Sequence, residues 1–230
     1  MNQSITGSFK DPTSLTRWTQ GLLIAGIAMA VVAVVSGIFE NILLNDINQG
    51  TFAAQAQLMT FANANDTRQR LVGVISLCGY VVTGILLLRW IYRANFNVRQ
   101  LGAVEMKFTP GWSIGWYFIP IANFWKPYQA MKEIWKASKE PANWQHQSVS
   151  SLLPWWWVFW LASAFIGQLS SRLLLLAQDV DDYIGINRFS ILADALNIPL
   201  ILILLAIVGR VYEMQMSYFR GFSLDRSGRI

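Results

Sequence analysis

Four stretches of the chain are apolar and nearly free of charge, at residues 18–44, 71–92, 154–177 and 189–212. Each is at least as long as the roughly 20 residues a helix needs to cross the hydrocarbon core of a bilayer. The pattern therefore predicts four transmembrane helices, arranged as two helical hairpins. The first carries small residues at Gly26, Ala30, Ala33 and Gly37, on one helix face, and the third carries Ser163, Gly167 and Ser171. Small residues on one face let a second helix approach closely. The connectors are polar. Residues 45–70 are rich in Ala, Asn and Gln, and 51–63 are compatible with helix, which predicts a first helix that continues beyond the bilayer. Residues 178–187 carry Asp179, Asp181 and Asp182, and are expected to form an acidic loop. Asp11 to Ser14 reads as the cap and start of a short interfacial helix.

A fifth stretch, Pro110 to Ser138, fits neither class. Its apolar part, Gly111 to Trp125, is 15 residues long, short of the roughly 20 a span requires. Pro120 interrupts it and has no N–H to donate. Asn123, three residues on, has the donors and the acceptor to satisfy backbone groups freed by that break. Lys126 and Pro127 then signal a new helix. In that helix Tyr128, Met131, Ile134, Trp135 and Ser138 share one face, while Lys132, Glu133, Lys136 and Lys139 fall mostly on others. An amphipathic helix with basic and aromatic residues is the type that lies in a membrane interface. The expectation is a segment that dips into the bilayer, turns near Pro120 and returns as a surface helix. The alternative is a fifth span.

The run Pro110 to Ser138 resembles the signature of a bacterial membrane-protein family, domain of unknown function 4328. The resemblance is carried by Pro110-Gly-Trp112, by Phe118-Ile-Pro120-Ile-Ala-Asn123, by Pro127-Tyr128 and by Ile134-Trp135-Lys-Ala-Ser138. It extends more loosely over most of the chain. It implies an integral protein of the bacterial inner membrane. It carries no activity and no catalytic residues.

Charge changes the picture by setting orientation. Of the 18 Lys and Arg, 14 lie in four segments: the N-terminal segment, 89–109, 126–153 and the tail from Arg210. If 110–125 enters and leaves on one face, all four are cytoplasmic and the acidic connector is outside, as the positive-inside rule requires. Ten of the 11 Trp fall between Trp90 and Trp160, and Trp prefers the headgroup level. The fold class expected is an all-α membrane protein: four transmembrane helices flanking a central re-entrant or interfacial helical segment, both termini cytoplasmic, in one membrane domain over 1–230.

Candidate chemistry is sparse. The one histidine, His146, lies in a connector, and the one cysteine, Cys78, lies in an apolar run. There is no Ser/His/Asp set, no Gly-rich phosphate loop and no metal-ligand spacing. The reading is therefore no enzyme, no cofactor and no nucleic-acid partner. The partners expected are the lipid bilayer and a protein or second copy. Glu40, Arg172 and Asp194 are the intramembrane charges, and Glu40 or Asp194 is expected to pair with Arg172. The motif residues are Pro110, Trp112, Pro120, Asn123, Trp125, Pro127, Tyr128 and Trp135. Lys126, Lys132, Lys136 and Lys139 are the candidate contacts to a partner or to anionic lipid. A scaffold or accessory subunit is the expected role, with a small channel or transporter as the alternative.

Overall fold

In the computed structural model residues 9–227 are described, with side chains as far as residue 221. Every regular element among them is helical. In chain order these are α1 (Thr13–Asn48), α2 (Gln55–Gln100), α3 (Pro110–Gly115), α4 (Lys126–Lys139), α5 (Leu152–Leu174) and α6 (Val180–Ser227). Short 3-10 turns occupy Trp116–Phe118, Ile121–Phe124 and Pro141–His146. α1, α2, α5 and α6 are long and apolar enough to cross a membrane, and each contains one of the four apolar runs or most of it. Arg226 and Arg229 of the basic tail lie outside the residues whose side chains are described.

Three of these helices outrun their apolar stretches. The 46 residues of α2 extend about 70 Å at 1.5 Å per residue, more than twice the roughly 30 Å of a hydrocarbon core. Three expectations are corrected here. The helical part of 51–63 starts at Gln55 and belongs to α2, because the chain breaks helix at Gly50, which has a positive φ of 67°. The acidic connector is mostly the first turns of α6. Asp179 Oδ1 accepts from the Asp182 N–H (2.9 Å) while Asp182 Oδ2 accepts from the Gln178 N–H (2.9 Å). Carboxylates at an N-terminus satisfy N–H groups that have no partner inside the helix. Likewise Asp11 accepts from the N–H and hydroxyl of Thr13, but the helix it starts is α1 itself rather than a separate interfacial one.

The described residues form two compact units. The first is built from residues 9–22, 83–157 and 203–227, the second from 23–82 and 158–202. No composition shift or linker could mark such units, since each is assembled from separated stretches.

In the first unit Trp90, Ile91, Ala94 and Val98 of α2 and Ala130, Met131, Ile134 and Ala137 of α4 are at most 2% exposed. The same holds for Leu153 and Trp156 of α5 and for Ile207, Val208 and Val211 of α6. The apolar face of α4 is thus buried in protein, not laid on lipid. An amphipathic pattern says that one face leaves water; it does not say what covers that face. Half of the ten Trp in the Trp-rich region are likewise core: Trp90, Trp135, Trp144, Trp156 and Trp157 are all buried. Buried indole N–H groups need acceptors, and Trp90 Nε1 donates to Thr16 Oγ1 (3.2 Å) while Trp144 Nε1 donates to the Val104 carbonyl (2.8 Å).

In the second unit the small-residue stripe of α1 packs on α6. Gly26 faces Ile201, and a Cβ placed on Gly37 would fall 2.7 Å from Ile191 Cγ1. The α5 stripe has no such neighbour at Gly167, where a Cβ would meet nothing within 4 Å.

Candidate functional site

The broken segment is mounted on the first unit through the end of α2. That helix closes with Gly102 at positive φ, the Gly102 N–H bonded to the Arg99 carbonyl (3.2 Å) and the Ala103 N–H to the Val98 carbonyl (3.0 Å). This is the Schellman pattern, which glycine admits because it has no Cβ to clash. The following loop is clamped from two sides. Arg99 donates to the carbonyls of Met106 (3.2 Å) and Phe108 (2.8 Å), and its Nε to Asn95 Oδ1 (3.1 Å). Asn95 in turn donates to the Phe108 carbonyl (3.0 Å). From α4, the Glu133 carboxylate accepts the N–H groups of Lys107 (3.2 Å) and Phe108 (3.1 Å). Burial pushes the Glu133 carboxyl above its ordinary value, while those two bonds and the charges of Arg99 and Lys107 pull the other way.

The clamp delivers the chain to Thr109, whose Oγ1 accepts from the Trp112 N–H (3.3 Å) and caps α3, with Pro110 at its first position. Proline costs nothing there, because that N–H would be unpaired in any case. Past the turn at Pro120, the Asn123 N–H bonds the Ile119 carbonyl (2.9 Å) and the Trp125 N–H bonds the Ala122 carbonyl (3.2 Å). The Phe124 carbonyl takes the indole N–H of Trp157 (3.1 Å).

The expected role of Asn123 is corrected by these bonds. Its backbone contributes, but its side-chain Oδ1 is buried without a partner, as are Trp116 Nε1 and Tyr117 OH. An indole from a distant position supplies what the amide was expected to supply. The sequence signal for it lies in the Trp155-Trp156-Trp157 run, but a run of three does not say which indole turns inward. Gln215 is a second unforeseen residue. It is 1% exposed and donates to the Ala94 carbonyl (3.2 Å) and to Ser138 Oγ (2.9 Å), so α6, α2 and α4 meet on one amide.

The outward side of the segment is apolar. Trp112 is 52% exposed, Phe118 72%, Ile121 73%, Phe124 62% and Trp125 43%. Trp112 and Trp116 contact each other, with ring centroids 4.8 Å apart. Pro127 is buried at the start of α4, and Tyr128 lies near Trp157, centroids 6.0 Å apart. The four lysines are tied to their own chain. Lys126 sits over the rings of Phe108 and Trp116, and Lys132 over Tyr128. Lys136 Nζ donates to the Gln145 carbonyl (3.3 Å) and Lys139 Nζ to Ser148 Oγ (3.2 Å).

In the second unit the expected ion pair is not formed. Arg172 is exposed, and Glu40 Oε2 accepts instead from Gln69 Nε2 (2.8 Å) and Asn187 Nδ2 (2.7 Å). Neutral amides satisfy a carboxylate without a second charge to desolvate. Ser36 extends the group by donating to Gln69 Oε1 (3.0 Å) and accepting from Arg68 Nε (3.1 Å). Asp194, on α6, is partly buried.

A helical chain with four helices of membrane-crossing length and apolarity has the form of a membrane protein. It belongs to the family described as Domain of unknown function (DUF4328), which matches residues 54–213, more than two thirds of the chain. That range includes the whole of the clamped loop, the broken segment and α4. No curated protein and no solved structure matches the chain.

Proposed function

We propose that the protein is a multi-pass protein of the bacterial inner membrane that works by binding rather than by chemistry, as a scaffold or accessory subunit. Its docking element is the segment 110–125, which enters and leaves the bilayer on the cytoplasmic face, with both termini on that side. The observation that carries this reading is the contrast between the segment and its mount. The loop before it and the helix after it are fixed by a dense set of hydrogen bonds, while Trp112, Phe118, Ile121 and Phe124 are each more than half exposed. A contiguous exposed apolar patch marks a membrane or protein contact. Irregular backbone is tolerated at membrane depth only where it is packed in protein or borders a cavity, and the Trp157 bond to Phe124 supplies such support. The partner that fits is an apolar helix of another membrane protein, or of a second copy.

Pull-down from native membranes tests this. Ile121→Ser with Phe124→Ser should insert and melt like the wild type and lose most of the co-purifying membrane protein. Retention of the same partner in wild-type amount contradicts the reading. A small channel or transporter is the second reading, supported by the polar group of Glu40, Gln69 and Asn187 on three of the long helices. Solute or ion flux into liposomes that Glu40→Gln abolishes would favour it.

A further inference from the structure

Beside the exposed tip, and sharing Phe118 with it, the first unit carries a groove of about 480 Å³ in which three cations stand beside an apolar wall. Lys10, Arg89 and Arg93 supply the charge; Ile85, Leu88 and Phe118 belong to the wall, and among the described residues no carboxylate lines it. The arrangement follows from helical spacing. Ile85, Arg89 and Arg93 succeed one another at four-residue steps, so they lie on one face of α2, apolar first and cationic after. Lys10 joins them from outside the helix and is held there by a fully buried side chain. Asn97 Nδ2 donates to the Lys10 carbonyl (2.9 Å) and Asn97 Oδ1 accepts the Lys10 N–H (3.2 Å). The Lys10 ammonium lies 5.1 Å from the centre of the Phe96 ring. Arg93 is positioned by donating to the Asp11 carbonyl (3.3 Å). The adjacent Asp11 carboxylate is engaged with Thr13, at 2.8 Å from its N–H and 2.5 Å from its hydroxyl.

We propose that this groove binds one anionic glycerophospholipid, its phosphate on Lys10, Arg89 and Arg93 and the start of one acyl chain along Ile85, Leu88 and Phe118. The charge is complementary, and the volume falls in the usual range for small-molecule sites, roughly 300–1,000 Å³. The order apolar to cationic along α2 matches the order chain to headgroup in a lipid, which a soluble anion lacks. The inference rests on the membrane reading above and is independent of docking through Ile121 and Phe124.

The test is native mass spectrometry of the detergent-purified full chain, titrated with phosphatidylglycerol and with phosphatidylcholine of the same acyl chains. The wild type should bind phosphatidylglycerol more tightly by at least about tenfold, each basic side chain near the headgroup contributing about fivefold. Arg89→Gln with Arg93→Gln should reduce the preference by about twenty-five-fold, leaving about the fivefold share of Lys10. Because Arg93 also holds Asp11, Arg89→Gln alone is measured beside it and should lose about fivefold. The Ile121→Ser, Phe124→Ser protein should keep the full preference even if it loses its protein partner. Equal affinity of the wild type for the two lipids overturns the proposal. So does an undiminished preference in Arg89→Gln, or displacement of the lipid by inorganic phosphate alone.

Discussion

Trp157→Ala is expected to destabilise the first unit by about 3–5 kcal/mol, the range for truncating a buried aromatic. Trp157 is buried, sits beside Trp156 with ring centroids 5.3 Å apart, and holds the Phe124 carbonyl from outside the segment. Two losses therefore combine: the packing of the ring, and an acceptor left without its donor just past the break at Pro120. Trp157→Phe separates them. It keeps most of the packing and removes only the N–H, so it should cost about 1–3 kcal/mol, the penalty for one unsatisfied buried group. Thermal melting in a single detergent, followed by helical circular dichroism, reads both. The Ala variant should also become sensitive to proteolysis between residues 112 and 125. An Ala variant that melts like the wild type would show that the segment is supported elsewhere.

Gln215→Ala is the second large effect, about 2–4 kcal/mol from the cavity and the lost hydrogen bonds together. The amide is fully enclosed between α2, α4 and α6 and donates to both Ala94 and Ser138. Gln215→Leu should cost only about 1 kcal/mol. It fills the space, and Ser138 keeps its own bond to the Ile134 carbonyl (2.7 Å). Equal melting points for the two variants would mean that packing contributes nothing at this junction.

Much of the helical scaffold was legible in the sequence, because length and apolarity are local properties. Four apolar runs, each with at most two charges and longer than a bilayer is thick, give four long helices, and the stripe at Gly26 and Gly37 announces the close approach of another helix. The start of α4 was legible for the same reason, in Lys126-Pro127. What covers a face is not local. The pattern Met131, Ile134, Trp135, Ser138 is the same whether protein or lipid lies opposite, and in this fold it is protein. The partners of polar groups are not local either. Asn123 was the nearest amide to the break, yet Trp157 satisfies it from 33 residues away. Glu40 bonds Asn187 across 147 residues rather than Arg172. Gln215 gave no signal at all, since a single Gln among Met, Glu and Tyr reads as surface.

The central claim is that 110–125 enters and leaves on one side of the membrane, so that α4 and the acidic turn of α6 lie on opposite sides. Thiol labelling of intact cells with a membrane-impermeant reagent tests it most directly, after Cys78, which is exposed, is replaced by Ser. Single cysteines are placed at His146 and at Asp181, both exposed. The cysteine at 181 should react from outside, and the one at 146 should react only after the cells are opened. Reaction at 146 in intact cells, with 181 protected, would make 110–125 a fifth span and contradict the account.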